Sequence, residues 1–480
     1  MDIGFIIDGC RAEAAKATTF DRVDPVTGKV ATRAAAAGLD DVARIVASAE
    51  KAFGPWSETG PGERRALLLK AADLMESRVG EFTRLMLEET GATAPWAGFN
   101  VHLAAGILRE AASLTTQITG EIIPSDKPGI LSMAIRQPVG VVLGIAPWNA
   151  PVILGTRAVA AALACGNTVI LRSSEACPGT HHLIGQTLND AGLPPGVVNV
   201  LSNAPGDAAA VVEALIAHPA VRRINFTGST RVGRIIAKLA AAHLKPVLLE
   251  LGGKASLVVL DDADLDQAVD AAAFGAFLNQ GQICMSTERF VVDEAVADAF
   301  VAKLAAKASR LPAGDPRGHV VLGSLIDRAA AEKMDDLIAD AVGKGAVIAA
   351  GGKRDGSIVE ATVLDRVTPA MRLYSEESFG PVKPVIRVHG VDEAIRVAND
   401  TEYGLSAAVF GQDIKRALAV SKRLATGICH INGPTVADEA QMPFGGVKAS
   451  GYGRFGGKAV IDEFTDLRWI TIEGPQAYPF

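Results

Sequence analysis

Residues 141–171 read VVLGIAPWNAPVILGTRAVAAALACGNTVIL, and this stretch decides the fold. The short apolar run at 141–145 predicts a strand, and the Ala-rich residues up to Cys165 predict a helix. A second apolar run at 168–171 predicts the next strand. Strands that alternate with helices predict βαβ units around a parallel sheet, and therefore an α/β protein. The same pattern predicts further strands at 197–201 and 223–226, and helices after Pro178, from about residue 207 and near Ser229.

The segments on either side extend this pattern. Residues 40–117, rich in Ala, Leu, Glu and Arg, predict helices, and a second α/β series is predicted from about residue 255 to about residue 430. Residues 120–136 and the strand-like tail 466–480 fit neither series. A chain of 480 residues is long enough for about three domains, or two large ones. The strands predicted in the second series are 256–259, 289–292 and 407–410.

The composition is that of an ordinary globular protein, with 49% hydrophobic and 21% charged residues. The net charge is −7 and the basic residues are scattered, which argues against a nucleic-acid surface. An odd number of cysteines without a C-x-x-C pair indicates a reduced, cytoplasmic protein. The N-terminal residues predict a strand and a turn rather than a signal peptide, and no run predicts a membrane span. We expect Cys10, Cys165, Cys177 and Cys429 to be small buried apolar side chains.

The two groups with the clearest chemistry are a thiol and a carboxylate. Cys284 ends Asn279-Gln280-Gly281-Gln282-Ile283-Cys284, a small and polar neighbourhood that is unusual for core packing. Glu250 ends an apolar run and precedes Leu251-Gly252-Gly253-Lys254. A thiol is only a few per cent ionised at neutral pH, so a nucleophilic Cys284 needs activation. Because burial raises the pKa of a carboxyl, Glu250 is predicted as a general base for the thiol or for a water.

A nucleotide site is predicted where strands end. Phe226-Thr227-Gly228-Ser229-Thr230 joins a strand to a helix, whose free N–H groups favour a pyrophosphate, although a simple helix cap also fits. Arg172-Ser173-Ser174-Glu175 follows another strand, and an acid there binds ribose hydroxyls and disfavours a 2′-phosphate. Glu175 therefore predicts NAD, with NADP as the weaker alternative because Arg172 can accept a phosphate. Gly451-Tyr452-Gly453-Arg454-Phe455-Gly456 matches G-x-G-x-x-G but lies too near the C-terminus to open a βαβ unit, so we reject it.

These motifs resemble those of the aldehyde dehydrogenase superfamily, and so do Pro147-Trp148-Asn149, Glu377-Ser378-Phe379-Gly380-Pro381 and Pro443-Phe444-Gly445-Gly446. All of them occur in the same order as in that family. The resemblance implies a Rossmann-like NAD-binding domain, an α/β catalytic domain and a small β oligomerisation domain in a homodimer or a dimer-of-dimers tetramer. The implied ranges are 1–117 and 137–249, then 250–445, then 118–136 and 460–480.

The resemblance also implies a role for individual residues. Asn149 and the Cys284 backbone N–H would hold the oxyanion formed when Cys284 attacks an aldehyde, although a turn asparagine between two prolines is also common. Glu377 and Phe379 would hold the nicotinamide ribose and ring. The full implied cofactor set is Ile145, Pro147, Trp148, Arg172, Ser174, Glu175, Gly206, Phe226, Thr227, Gly228, Ser229, Val232, Leu251, Gly252, Glu377 and Phe379.

The chain departs from the family at two positions. Many relatives have a second glutamate where this chain has Phe455, and some have a lysine where it has Ala158. The predicted substrate pocket resembles that of the benzaldehyde, vanillin and salicylaldehyde dehydrogenases. Ala150 leaves room for a flat ring, and Arg157 is able to pair with a phenolate or a ring hydroxyl, or simply to form a salt bridge. The pocket is predicted to contain Trp96, Ala150, Ile153, Leu154, Arg157, Ile283, Met285, Val436 and Phe444.

The sequence therefore predicts NAD-dependent oxidation of an aromatic aldehyde to its acid through a thioester on Cys284. The alternatives are an aliphatic or semialdehyde substrate, transfer of the acyl group to coenzyme A, and an idle binding protein on the same fold. Glu250 argues against coenzyme A transfer, which needs no hydrolytic base. No closely spaced Cys/His set predicts a metal, and His181-His182 is predicted to lie on a helix surface.

Overall fold

The computed structural model describes residues 1–475 and 477–480. Its N-terminal part has short strands followed by long helices, which confirms the predicted helical region 40–117. Helix α4 packs on α2 and α3 through its apolar face. In chain order these elements are β1 (Asp2–Ile3), β2 (Phe5–Ile7), β3 (Cys10–Ala12), β4 (Thr19–Val23), β5 (Val30–Ala35), α1 (Leu39–Glu58), α2 (Pro61–Ser77), α3 (Val79–Thr90) and α4 (Ala94–Leu114).

The next part of the chain alternates between strands and helices, as residues 141–171 predicted. The elements are β6 (Glu121–Ile123), β7 (Leu131–Pro138), β8 (Val141–Ile145), α5 (Pro151–Ala164), β9 (Thr168–Arg172), α6 (Pro178–Asp190), β10 (Val198–Leu201), α7 (Ala208–Ala217), β11 (Val221–Thr227), α8 (Thr230–Ala242) and β12 (Val247–Glu250). Every residue of α5 is buried, so this Ala-rich helix lies in the interior against the sheet.

The second α/β series follows, and the predicted strands 256–259, 289–292 and 407–410 are confirmed within one residue or two of their ends. The elements are β13 (Ala255–Val259), α9 (Leu265–Phe277), β14 (Thr287–Asp293), α10 (Glu294–Ala308), α11 (Arg328–Gly343), β15 (Val347–Ala350), β16 (Arg354–Asp355), β17 (Ile358–Val359), β18 (Thr362–Asp365), α12 (Arg372–Ser375), β19 (Val382–Val388), α13 (Gly390–Asn399), β20 (Ser406–Phe410), α14 (Ile414–Ser421), β21 (Ile428–Ile431), β22 (Gly451–Tyr452), α15 (Ala459–Glu463) and β23 (Thr465–Ile472).

Two large sheets organise these elements. Within the described chain, the first sheet has the order β22-β12-β11-β8-β9-β10-β2-β3, and its strands from β12 to β10 are parallel. The second has the order β15-β18-β19-β14-β13-β20-β21, parallel from β18 to β21. Parallel strands place their carboxyl ends at one edge, which is where such sheets bind ligands.

A small antiparallel sheet lies outside both series. Strand β7 pairs with β6 on one side and with β23 on the other, from Thr465↔Pro138 to Ile472↔Leu131. The two segments that fitted neither α/β series are therefore hydrogen-bonded to each other. The predicted domain boundaries and the subunit-bridging role stay predictions, and Gln476 of the predicted 460–480 range lies outside the described residues.

The glycine motif near the C-terminus has a packing role. Gly451 lies in β22, which pairs antiparallel with β12 at the edge of the first sheet. Its φ is +106°, and a Cβ there would lie 2.0 Å from the carbonyl oxygen of Leu249. The close approach of two strands therefore explains this glycine.

Two predictions about burial are wrong. Cys10 is exposed at the edge strand β3, whereas Cys165 and Cys177 are buried as predicted and Cys429 is half-buried. His181 is fully buried, because α6 is covered on the side that carries it. Among the described residues, no helix is both long enough and apolar enough to cross a membrane.

Candidate active site

The site is built where the strands of the first sheet end. In the register of the sheet, Ile145 pairs with Arg172 and with Phe226, while Thr227 pairs with Glu250. The loops that follow these strands therefore leave the sheet at one edge. Those loops carry the predicted oxyanion, ribose, pyrophosphate and general-base residues.

A sharp turn delivers Cys284 to this edge. After α9, Asn279 and Gln280 adopt left-handed backbone angles, with φ of 48° and 57°, and Gly281 follows with φ of 73°. Residues other than glycine rarely adopt these backbone angles, so the surrounding contacts must stabilise the turn. The Gln280 side-chain amide donates to the Ser324 carbonyl at 2.9 Å, and the Ile326 N–H donates to Gln282 Oε1 at 3.0 Å.

A glycine allows the loop after Glu250 to contact the loop that carries Cys284. A Cβ at Gly253 would lie 2.4 Å from the carbonyl oxygen of Cys284. The loop after Glu250 therefore packs directly on the backbone of the cysteine, which only a residue without a side chain allows. This contact brings the strand end of Glu250 and the loop of Cys284 into one site.

Glu250 is a buried carboxyl without a partner. Its side chain is 2% exposed, and among residues 1–475 and 477–480 neither carboxyl oxygen accepts a hydrogen bond of normal geometry, although the Gly446 N–H lies near enough to lower its pKa. Burial raises the pKa of Glu250 to about 8, and the positive charge of Arg157 limits that rise. A carboxyl of this kind exchanges protons near neutral pH, which suits a general base.

Cys284 is not ionised by its own surroundings. Burial raises the pKa of the Cys284 thiol well above its usual range, and the nearby carboxyls of Glu250 and Glu377 raise it further. Burial also raises the pKa of Glu377 to about 7, although the Gly253 N–H donates to it at 2.8 Å. The thiol therefore needs a base to take its proton when it attacks, and Glu250 is the unpartnered candidate beside it.

Two cavities meet at the cysteine. One of about 640 Å³ and another of about 230 Å³ share three wall residues, Asn149, Leu154 and Cys284. All nine residues predicted for the substrate pocket line the larger cavity. Its walls also include Phe99, Phe274 and Val321, which the sequence did not indicate and which are partly exposed at its mouth.

A buried ion pair lies in the wall of the larger cavity. Arg157 Nη2 donates to both carboxyl oxygens of Asp438, at 2.8 and 2.7 Å, and the two side chains are 6% and 9% exposed. The guanidinium lies 4.6 Å from the ring centre of Phe444. Arg157 therefore forms the salt bridge that the sequence left open, and Asp438 is a site residue that sequence reasoning missed.

Nine of the predicted cofactor residues line the smaller cavity, and they leave room for the nicotinamide end of a dinucleotide. They are Pro147, Trp148, Thr227, Gly228, Ser229, Leu251, Gly252, Glu377 and Phe379. A Cβ at Gly252 would lie 2.9 Å from the Glu377 carboxylate, so glycine keeps this cleft open. Helix α8 begins at its edge, where Ser229 Oγ caps the Val232 N–H at 3.4 Å. These residues fit a nicotinamide cofactor.

The other predicted cofactor residues lie outside that cavity wall. Ile145 and Phe226 are buried at their strand ends, and Gly206 lies in a short 3₁₀ helix after β10. Arg172 donates through Nε to Asn203 Oδ1 at 2.8 Å, and its Nη2 lies 3.0 Å from Glu175 Oε2. Ser174 donates its N–H to His181 Nδ1 at 3.2 Å, so the buried histidine holds the loop that carries Glu175.

A buried charge cluster supports the Glu377 loop, and it is visible in the sequence only as three separate charged residues. Glu288 accepts from Lys254 at 2.9 Å and from Lys383 at 2.6 Å, and the Ser378 N–H donates to it at 2.7 Å. Although burial opposes the charge, the two lysines hold the pKa of Glu288 well below its usual range. Because Ser378 follows Glu377 directly, this cluster fixes the loop that carries Glu377.

The position of the family's second glutamate is filled by packing. Phe455 is 1% exposed and forms an antiparallel bridge with Phe444, with N–O distances of 2.8 and 2.9 Å. Phe444 in turn lines the larger cavity. Residue 455 therefore adds a buried ring to the core cluster that contains Phe444, and a phenyl ring offers no proton route.

A thiol and an amide at the junction of two cavities, with a high-pKa carboxyl in the wall of the smaller one, are the groups expected of a thiol-dependent oxidoreductase of the nicotinamide-binding α/β class. The chain belongs to the aldehyde dehydrogenase family, whose model matches residues 12–470. It is therefore an oxidoreductase that acts on aldehydes with NAD or NADP.

Full-length relatives agree with this assignment. The chain is 62% identical over 481 residues to a vanillin dehydrogenase of Pseudomonas fluorescens, with all of both chains covered. It is 53% identical over 483 residues to a salicylaldehyde dehydrogenase of Pseudomonas sp. (strain C18), again with all of both chains covered. The crystal structure of a salicylaldehyde dehydrogenase from Pseudomonas putida G7, complexed with salicylaldehyde, matches with a TM-score of 0.98 over all of both chains at 53% identity.

Proposed function

We propose that this protein oxidises an aromatic aldehyde, of the hydroxylated benzaldehyde kind, to the carboxylic acid with NAD. The observation that carries the proposal is the apolar cavity of about 640 Å³ that ends at Cys284, with Trp96 and Phe444 in its walls. Flat aromatic walls favour a flat aromatic ring, and Ala150 adds no bulk at the inner end. The full-length similarity to vanillin and salicylaldehyde dehydrogenases supports the same substrate class.

In the proposed reaction, Glu250 takes the proton of the Cys284 thiol and the sulfur forms a bond to the aldehyde carbon. The carbonyl electrons move to oxygen, and the amide of Asn149 donates to that oxyanion, a contribution worth about 3 kcal/mol. The bound nicotinamide cofactor supplies the hydride acceptor. Loss of the hydride leaves the carbon bonded to Cys284 as a thioester, and Glu250 releases the thiol proton to solvent. The Glu250 carboxylate then takes a proton from a water that attacks the thioester, the carbon–sulfur bond breaks, and the acid leaves as Cys284 is restored.

The ion pair of Arg157 and Asp438 is the proposed recognition point for a ring hydroxyl. Asp438 is able to accept a hydrogen bond from a phenol, and Arg157 is able to donate to a phenolate. Both are nearly buried in the cavity wall, where a polar contact is worth more than in water. Because each already satisfies the other, an unsubstituted ring leaves no buried charge unpaired.

An absorbance assay of NADH formation over an aldehyde panel tests the proposed function. Vanillin, salicylaldehyde and benzaldehyde are expected to give kcat/KM values at least about tenfold above that of a medium-chain aliphatic aldehyde, since about 1.4 kcal/mol of ring contact accounts for tenfold. The assay contains no coenzyme A, so turnover also excludes obligatory acyl transfer. A hundredfold preference for the aliphatic aldehyde would overturn the aromatic assignment.

NAD is the proposed cofactor because of the way Glu175 is placed. Its carboxyl is partly exposed at the end of β9, where it is able to accept from both ribose hydroxyls. It also neutralises Arg172, which is otherwise the group that would bind a 2′-phosphate. Glu175 therefore favours NAD because its carboxylate attracts the ribose hydroxyls. It disfavours NADP because it repels a 2′-phosphate and already pairs with Arg172.

Glu175→Gln is expected to lower the ratio of kcat/KM for NAD to that for NADP by at least about tenfold, because it removes the repulsion and frees Arg172. Steady-state kinetics with each cofactor at saturating aldehyde measure the ratio. Glu213→Gln serves as the matched control, because it removes an exposed charge from helix α7, which packs on the first sheet. An unchanged ratio in Glu175→Gln would show that the carboxyl does not select the cofactor.

We further propose that the small sheet joins subunits in a dimer or a dimer of dimers. Strand β23 exposes Leu467, Trp469 and Ile472, and β6 exposes Ile122 and Ile123. The register places Leu467, Trp469 and Ile123 on one face of the sheet and Ile472 and Ile122 on the other. Large apolar side chains exposed on an antiparallel sheet are typical of a surface that another chain covers. Light scattering of the full chain measures its mass in solution, and a monomer at micromolar concentration contradicts the proposal.

A further inference from the structure

Two side-chain N–H groups converge on one backbone oxygen beside the nucleophile. The carbonyl oxygen of Asn149 accepts from the indole Nε1 of Trp96 at 3.1 Å and from the amide Nδ2 of Asn279 at 3.0 Å, and both bonds are buried. Helix α5 does not use this oxygen, because its first bond runs from the Leu154 N–H to the Ala150 carbonyl. The two donors come from different elements, so together they fix the peptide plane between residues 149 and 150.

The side chain of Asn149 is fixed from the same place. Its Nδ2 donates to the Gln282 carbonyl at 3.0 Å, and Asn279 Nδ2 lies 3.4 Å from that same oxygen. Asn149, Asn279 and Gln282 therefore form a closed ring of hydrogen bonds. One Nδ2 hydrogen of Asn149 is bonded to the Gln282 carbonyl, and this bond fixes the direction in which the other Nδ2 hydrogen points.

Trp96 has a second contact that connects this ring to the substrate cavity. Its ring lines the cavity and stacks on Phe99, with 5.5 Å between ring centres, while its N–H points to Asn149. The tryptophan is 4% exposed, so its orientation is fixed by packing. A phenyl ring in its place would fill most of the wall but could not donate.

We propose that Trp96 is a positioning residue for the oxyanion donor, with Asn279 as its partner, in addition to being a wall of the substrate cavity. The inference rests on the proposed role of Asn149. A donor contributes most when it is preorganised at the place where negative charge develops, and a small displacement of Asn149 weakens that contribution. The indole N–H therefore acts on kcat, through Asn149, whereas the indole ring acts on substrate binding.

Trp96→Phe tests the inference, because it removes the N–H and keeps an aromatic ring. We expect kcat to fall about tenfold, equivalent to about 1.4 kcal/mol, with KM for benzaldehyde and vanillin changed less than about threefold. The second readout is inhibition by trifluoroacetophenone, whose carbonyl carbon bonds to the Cys284 sulfur and leaves an oxyanion. Its inhibition constant is expected to rise about tenfold, whereas binding of benzoate, which forms no adduct, is expected to stay within about twofold.

Phe99→Leu is the matched control, since Phe99 lines the same cavity and stacks on Trp96. It is expected to raise KM more than it lowers kcat. A Trp96→Phe enzyme that changes only KM, or that binds trifluoroacetophenone as the unaltered enzyme does, overturns the inference. If Trp96→Phe does not fold, Asn279→Ser removes the other donor to the same oxygen and is expected to give the same split between kcat and KM.

Asn149→Ala separates this inference from the proposed function. It is expected to lower kcat by at least about a hundredfold. If Asn149→Ala retains activity, the proposed role of Asn149 fails. If Asn149→Ala loses activity and Trp96→Phe does not, only the positioning role of Trp96 fails.

Discussion

Replacement of Cys284 by alanine is expected to abolish aldehyde oxidation, with a fall in kcat/KM of at least about 10⁴-fold. The thiol supplies the sulfur–carbon bond that holds the substrate at the junction of the two cavities. Among the described residues, the wall that the cavities share contains only Asn149 and Leu154 besides Cys284, and neither is a nucleophile. NADH formation with vanillin and with benzaldehyde measures the loss.

Cys10→Ala is the control for this prediction. Cys10 is exposed on the edge strand β3, so it is accessible to reagents, and it lines neither of the two cavities. We expect full activity in Cys10→Ala, and loss of activity on alkylation of that variant. Near-normal turnover in Cys284→Ala would end the assignment of Cys284 as the nucleophile.

The parts of the fold that the sequence predicted well are those that local pattern controls. The apolar run Val141–Ile145 and the Ala-rich stretch after it gave β8 and α5, because a strand buried on both faces and a helix buried all round are both visible as uninterrupted apolar residues. Because these strands were predicted, the positions at which they end were predicted too. So was the edge of the sheet at which Glu250 and the loop after β11 meet.

The parts that the sequence did not predict depend on contacts between distant residues. Asp438 is 281 positions from Arg157, and nothing local distinguishes the acid that pairs with the arginine from other acids. The sequence predicts His181 on a helix surface, whereas tertiary packing buries this side chain and lowers its pKa to about 3. The left-handed turn at Asn279 was also invisible, since its stability comes from bonds to Asn149, Gln282 and their neighbours.

Glu250→Gln is expected to separate the two halves of the reaction. Glu250 serves twice in the proposed mechanism, as the base for the thiol and as the base for the water that attacks the thioester. Among the described residues, the only other carboxyl in the wall of the smaller cavity is that of Glu377. Deacylation is therefore expected to slow by about 10²–10⁴-fold, the usual contribution of a general base. Rapid mixing should show a first, burst phase of NADH approaching one per active site, itself slower than in the unaltered enzyme because solvent must then take the thiol proton, followed by a still slower steady rate.

Glu377→Gln is the comparison that assigns the defect. Its carboxyl lies in the cofactor cavity and is bonded to the Gly253 N–H, so its loss should slow the step that reduces the cofactor and remove the burst. A burst in Glu250→Gln and none in Glu377→Gln assigns water activation to Glu250. Absence of a burst in both variants indicates instead that Glu250 acts only on the thiol.

The pH dependence of deacylation follows from the pKa of about 8 that burial imposes on Glu250. Below that pH the carboxyl is protonated and unable to accept a proton from water, so deacylation in the unaltered enzyme should rise with pH and level off above about 8. Single-turnover hydrolysis of a preformed acyl-enzyme measures this step apart from thiol activation. In Glu250→Gln the rise through this range should disappear, because glutamine does not titrate there. If the same rise persists in that variant, another group sets the pH dependence and Glu250 is not the base for hydrolysis.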